Sequence, residues 1–243
     1  MNIIKLSAIG STNDFLKEKL SEQYLENFTV VVAENQTSGK GQMGSVWEVE
    51  SGKNLTFSVL VKDLLLDVQS VFHLNVAVAV SVATVFKNNS IPKTAIKWPN
   101  DILADNRKIG GILIENILKS DREILSIIGI GLNVNQQNFE NLPKAGSLYT
   151  VTGKQFDKEL LLQQLLEELK RNLTLVQRGF YEEIWQTYDS LLYRKGIPSS
   201  FENSEGNRFM GIIQKVNTNG KLEVLLENDE VIEFGIKEVT LLY

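Results

Sequence analysis

KWPNDILADNRKIGGILIEN, residues 97–116, carries more conformational constraint per residue than any other part of the chain. A short strand at residues 95–97 leads in. Pro99 has no N–H to give a ladder, so the backbone should leave the sheet at Trp98 and Pro99 and turn, with Asn100 and Asp101 on the bend. Asp105 and Asn106 tolerate left-handed backbone, and Ile102–Leu103 and Arg107–Lys108–Ile109 therefore read as the arms of a tight hairpin. Gly110 and Gly111 follow, and then the apolar run of Ile112, Leu113 and Ile114, which fits a strand buried on both faces.

A lysine at the entrance to such a strand needs an explanation. Taking an ammonium out of water costs roughly several kcal/mol unless an anion accompanies it, and paired glycines remove the side chains that would hold a ligand off the backbone. One reading has Lys108 facing a bound carboxylate or phosphate, with the glycines leaving room for it. The other is a partly exposed hairpin lysine that reaches water and pairs with a surface acid.

Upstream, residues 29–34 (TVVVAE) form a β-branched strand, followed by a glycine-rich segment with Gly39, Lys40, Gly41, Gln42, Met43, Gly44, Ser45, Val46 and Trp47. Its glycine spacing satisfies G-x-G-x-x-G. A dinucleotide site also needs a helix opening at the glycines and an acid that closes a βαβ unit; here a turn at residues 51–54 and a strand at residues 55–61 (LTFSVLV) follow instead. The same segment matches the kinase glycine loop, but the chain has no H-R-D or D-F-G. What remains is a loop between strands, carrying Gln36, Lys40 and Gln42, that either wraps a ligand with main-chain N–H groups or is an ordinary surface loop. Before it, residues 3–9 read as a first strand. Ser11, Thr12, Asn13 and Asp14 have the form of a helix N-cap with a capping-box acid, which also presents free N–H groups to a polar ligand.

The 243 residues suit one large domain or a main domain with a small one. With no cysteine, disulfides and thiolate sites are excluded and a cytoplasmic location is expected. The single histidine, His73, allows no imidazole metal cluster or His-based triad. A net charge of −5 argues against a general nucleic-acid surface. The start lacks the pattern of a signal peptide, and the apolar stretch at residues 76–86 is too short to cross a membrane. Residues 66–88 read as a core helix, 124–134 as a strand thinned by Gly129 and Gly131, and 157–176 and 180–193 as amphipathic helices. From about residue 195, turn signals recur between short runs at residues 209–216, 222–226, 231–234 and 239–242, the pattern of a small antiparallel barrel or sandwich.

With these pieces in order, the chain resembles the biotin protein ligases. The likeness runs nearly end to end through Ser11-Thr12-Asn13, residues 39–47, Lys97-Trp98-Pro99-Asn100-Asp101, residues 107–115 and Gly129-Ile130-Gly131-Leu132-Asn133. Each motif is weak alone; together, in this order and spacing, they are specific. The resemblance implies an α+β fold, with a mixed-sheet, class II synthetase-like catalytic domain over residues 1–192 and a small SH3-like β-barrel over residues 193–243. It implies a ligase that uses ATP and Mg2+ to activate biotin as biotinoyl-AMP and passes it to a lysine of a biotin carboxyl carrier protein.

Carried over residue by residue, it assigns the ureido ring to Ser11, Thr12, Asn13 and Gln36, and the cover over biotin and the adenylate to Gly39, Lys40, Gly41 and Gln42. It gives Lys108 to the carboxylate and α-phosphate, Gly111 to biotin, and Lys40, Gln42, Trp47, Asn100, Asp101, Lys108 and Asn133 to the nucleotide. Lys108 and Asp101 are its catalytic pair, with Asp101 also the magnesium ligand. Family loops are richer in arginine, as in G-R-G-R-R-G, and Lys40 and Gln42 forgo that planar fork. No helix-turn-helix precedes the catalytic part, so no sequence-specific DNA binding is expected; no membrane partner is expected either, and a homodimer is compatible with the family. The competing readings are a lipoate ligase or octanoyl transferase relative, and a carrier-binding module that has lost catalysis, with Gln42 as its sign.

Overall fold

The computed structural model describes residues 2–48, 50–62, 71–119, 124–140 and 142–242. In chain order the elements are β1 (Ile3–Leu6), α1 (Thr12–Glu22), β2 (Val30–Ala33), β3 (Leu55–Val61), α2 (Val71–Asn88), β4 (Ala95–Lys97), β5 (Asp101–Ala104), β6 (Arg107–Leu118) and β7 (Ile124–Leu132). Then come α3 (Leu148–Thr152), α4 (Lys158–Gln177), α5 (Glu182–Ser190), β8 (Pro198–Asn203), β9 (Arg208–Val216), β10 (Leu222–Leu226), β11 (Val231–Phe234) and β12 (Val239–Leu242). Seven strands form one sheet in the order β1-β2-β3-β7-β6-β5-β4, and five form a second in the order β11-β10-β9-β8-β12. The first is mixed, because β1 and β2 run parallel while its other pairs are antiparallel. The second is wholly antiparallel.

Strand β3 shows why the large sheet is apolar on both sides. Phe57, Val59 and Val61 join the core built with α2 and α4, while Leu60 joins a smaller cluster with Leu16 and Leu25 on the α1 side. Alternation along the strand then puts Thr56 and Ser58 on the α1 face. Helix α2 is apolar around most of its circumference because α4 and α5 cover what the sheet does not. By length and composition alone it could cross a membrane, with a mean hydropathy of 1.4 over 18 residues, contrary to the expectation of a stretch too short for that. With 72% of that window buried inside the protein, it is the helix of a packed core.

The main departures from the sequence expectations have local causes. The hairpin forms as expected, with Asp105 and Asn106 at positive φ. Its second arm does not stop at the glycines, however: β6 is one strand of 12 residues. The expected helix over residues 66–88 is seen from Val71, and residues 66–70 lie outside the described residues. β1 ends at Leu6, well before Gly10. Helix α3, five residues closed by a Ser147–Thr150 capping box, and strand β8, which begins on Pro198, have too little periodicity to be legible. Among the described residues no ladder joins β11 to β12, so the second sheet is open. It docks on the first through Trp98, whose Nε1 donates to Gly220 O at 2.9 Å, and one apolar core runs between them.

Candidate active site

Residues directly opposite each other in antiparallel strands project from the same face. Across the middle of the large sheet, Thr56 pairs with Gly131, Gly131 with Gly111, Gly111 with Asp101, and Asp101 with Lys97. One row across five strands therefore carries two adjacent bare positions, flanked by a hydroxyl on one side and a carboxylate and an ammonium on the other. The next row on that face, Ser58–Gly129–Leu113, repeats the gap. The result is a cavity of about 270 Å³ floored by Gly111, Gly129 and Gly131. Of the two consecutive glycines, only Gly111 faces it. A β-carbon at Gly110 would point into the core, 2.5 Å from Leu132 Cδ2.

Lys108 reaches this face because β6 is bulged. Residues three apart in a regular strand lie on opposite faces, and Lys108 and Gly111 would too. The register slips between Ile102 and Leu103, so that Leu103 faces Lys108 while Ile102 faces Gly110, and the extra residue turns the lysine back over the cavity. Residues 144–146 satisfy its backbone: Lys108 N donates to Lys144 O at 2.8 Å, and its carbonyl accepts from Gly146 N at 3.0 Å. The Lys108 ammonium sits 2.6 Å from Asp101 Oδ1 and 5.9 Å from the centre of the Trp47 ring. Lys97 approaches the other carboxylate oxygen at 3.5 Å. Burial pushes the pKa of Lys97 below the ordinary lysine value; the Asp101 charge opposes this, and Lys108 and Lys144 reinforce it.

The glycine-rich loop forms the roof. Trp47 N donates to Gly39 O at 2.9 Å and Gly41 N to Ser45 O at 2.7 Å, which folds residues 39–47 back on themselves. Lys40 ties the fold to α1 through Asp14 at 2.7 Å, and that hydrogen bond raises the lysine's pKa. Asp14, expected to close a capping box, is thus spent on the loop. A β-carbon at Gly39 would run into the backbone carbonyl of Trp47, while one at Gly41 would meet the Ser45 hydroxyl, which can rotate away. The Trp47 indole lies on the glycine floor, and its Nε1 is buried without a hydrogen-bond partner.

At the α1 end, Gln36 Oε1 accepts from Thr12 N at 2.8 Å and Thr12 Oγ1 at 3.0 Å. Ser58, buried on β3, contacts Thr12 Oγ1 at 2.7 Å and Asn13 Oδ1 at 2.5 Å. Asn13 Nδ2 donates to Glu115 Oε2 at 2.7 Å, and Glu115 also holds Lys17. Polar side chains thus gather at one end of the cavity and charged ones at the other.

A family model described as the biotin/lipoate A/B protein ligase family matches residues 6–135, more than half of the chain. The chain belongs to this family. Among curated relatives, "Bifunctional ligase/repressor BirA" of Bacillus subtilis is 35% identical over 87% of this chain and 64% of its own length. "Biotin--[acetyl-CoA-carboxylase] ligase" of Mycobacterium tuberculosis is 30% identical over 88% of this chain and 79% of its own. This chain therefore spans less than two thirds of the length of the Bacillus relative. Among solved structures, the biotin protein ligase of Aquifex aeolicus in complex with biotin and ATP superposes with a TM-score of 0.81 at 27% identity, covering 99% of this chain and 98% of that one.

In this member of the biotin/lipoate ligase family, Ser11, Thr12, Asn13, Gln36, Lys40, Gly41, Gln42, Trp47, Asn100, Asp101, Lys108 and Gly111 all line the one cavity. Gly39 and Asn133 do not. Gly39 shapes the loop from behind. Asn133 is buried and donates to Gly146 O at 3.0 Å, so it holds the segment that braces the Lys108 backbone. His73 is elsewhere, stacked on Tyr181 and accepting from Trp185 Nε1. Sequence reasoning missed Ser58 and Glu115. Ser58 and Thr56 are polar residues buried within LTFSVLV, a visible signal for Ser58; Glu115 closes the 107–115 motif, but its contact with Asn13 is revealed only by the fold.

Proposed function

We propose that this protein is an ATP-dependent biotin protein ligase: it activates biotin as biotinoyl-AMP and transfers it to a lysine of a biotin carboxyl carrier domain. The observation that carries the proposal is the shared cavity. The polar side chains of Thr12 and Gln36 lie at one end, Lys108 and Asp101 at the other, the glycine loop above and glycines below.

In the first step a biotin carboxylate oxygen attacks the α-phosphorus of ATP, and the bond to the β-phosphate oxygen breaks with its electron pair leaving on pyrophosphate. Two anions repel, so a fixed cation aimed at the meeting point supplies much of the catalysis. Lys108 is that cation: the bulge aims it, residues 144–146 brace it, and Asp101 holds it in the empty site. The folded loop excludes water from the acyl phosphate. In the second step the carrier amine attacks the biotin carbonyl and AMP leaves. Asp101, released when Lys108 turns to the ligand, orients the amine and takes its proton.

Magnesium, which the family resemblance implies, would neutralise the outgoing phosphates. No three His, Cys, Asp or Glu side chains gather to hold a metal among the described residues, and Asp101, the carboxylate that lines the cavity, is bracketed by two lysines. That donor set does not fit a resident ion, so no step runs through one. We also take residues 1–192 as the catalytic unit and residues 193–243 as an SH3-like unit, a division supported by the separate five-stranded sheet.

Parallel incubations of ATP and a carrier domain with biotin, with lipoate or with an octanoyl donor, followed by weighing the carrier, test the assignment. A biotin-sized mass gain is expected; a lipoyl or octanoyl gain would move the protein to its lipoate-handling relatives, and no gain would make it a carrier-binding module. Ser58→Ala should weaken biotin binding roughly five- to tenfold, the loss of about one hydrogen bond that positions Thr12 and Asn13. Titration calorimetry would show it, and wild-type affinity would remove Ser58 from the site.

A further inference from the structure

The glycine row does not end at Asp101. Its last member is Lys97, which closes β4 and stands on the same face as the cavity floor. Lys97 and Lys108 take opposite oxygens of the one Asp101 carboxylate. Lys97 also lines a second, smaller cleft of about 170 Å³ between the Trp98–Pro99 turn and the five-stranded sheet, with Tyr193 and Lys237 on its walls. Asp101 thus marks the border between the two spaces, because it lines the cavity while its partner Lys97 lines the cleft.

The ammonium is unfavourable where it stands. Its pKa is pushed down chiefly by burial, and two further lysines add to the effect. With its side chain only 19% exposed and the Asp101 carboxylate shared with Lys108, the Lys97 ammonium sits in a poorly hydrated place. An arriving anion would offset this at neutral pH. Adenylation supplies one: as the bond to the β-phosphate breaks, negative charge builds on the departing diphosphate while Lys108 is occupied by the carboxylate and α-phosphate. Lys97 is the next ammonium along the same face.

We propose that Lys97 is the second phosphate-binding cation of this enzyme, and that it receives the leaving diphosphate at the mouth of the cleft shared with Lys237. This rests on the adenylation reading above and adds a residue and a place for the second product.

The test compares Lys97→Met and Lys97→Arg with the wild-type chain in biotin-dependent ATP–pyrophosphate exchange. It adds transfer from preformed biotinoyl-AMP to a carrier domain, and thermal unfolding. In Lys97→Met the KM for both ATP and pyrophosphate should rise about ten- to a hundredfold, the range for loss of a charged hydrogen-bond partner. Biotin affinity and transfer from preformed adenylate should hold, the unfolding midpoint should not fall, and arginine should restore most of the exchange. An unchanged KM for both phosphates would overturn the proposal and leave the ligase reading standing. A lowered midpoint with equal loss in every step would overturn it too, making Lys97 a strut for Asp101. If the wild-type protein showed no biotin-dependent exchange, the ligase reading itself would fall, and this assignment with it.

Discussion

Replacing Lys108 by alanine should reduce biotinoyl-AMP formation by about a hundred- to a thousandfold, the usual effect of deleting one preorganised charge-stabilising donor. The fold should survive, for two reasons. The lysine side chain is about a third exposed, so no large cavity opens, and Asp101 keeps Lys97 as a partner and is not left as an unpaired buried charge. Biotin-dependent pyrophosphate release, measured beside a thermal midpoint, separates the two quantities. Release at the wild-type rate would remove Lys108 from the chemistry. Loss of release together with loss of folding would show that its pairing with Asp101 is structural.

Gly131→Val should have the second largest effect, and it acts through shape alone. A β-carbon there would come within 2.6 Å of Trp47 Nε1, and the two methyl groups beyond it would fill the floor between Gly111 and Thr56. Valine suits a strand, so the sheet should form while the indole is displaced and the cavity narrowed. Overpacking of this kind costs about 1–3 kcal/mol, or roughly a five- to 150-fold loss of biotin affinity. Gly110→Ala is the matched control, because its β-carbon enters the core at Leu132 and should lower stability more than affinity. Calorimetric binding with a denaturant melt for each variant would show whether the two glycines divide in this way. Equal affinities for Gly131→Val and wild type would mean that the floor is not where the acid lies.

Much of this site was legible because its residues are locally constrained. Pro99 marks the turn, Asp105 and Asn106 take the left-handed backbone of the hairpin, and a lysine beside paired glycines left two readings, a bound anion or a pairing acid. What was hidden depends on pairing between distant strands. The row Thr56, Gly131, Gly111, Asp101 and Lys97 takes four members from the consecutive strands β4 to β7 and the fifth from the distant β3, so its bare centre emerges only once the order β3-β7-β6-β5-β4 and its register are known. The bulge that turns Lys108 onto that face leaves no local signature, and regular alternation would have placed the lysine on the wrong side of Gly111. The C-terminal turns were readable from Gly and Asn, but their sequence could not say whether five short strands would close or stay open. Asn133 was expected beside the nucleotide, and its side chain instead braces residue 146, a contact no motif foretells.

A crystal structure of the protein with biotin and a non-hydrolysable ATP analogue would test the central claim most directly. The biotin carboxylate should lie within hydrogen-bond reach of Lys108 Nζ beneath the folded glycine loop, with the ureido ring against Thr12 and Gln36. Biotin bound outside this cavity, or with its carboxylate turned towards Thr12 and away from Lys108, would contradict it.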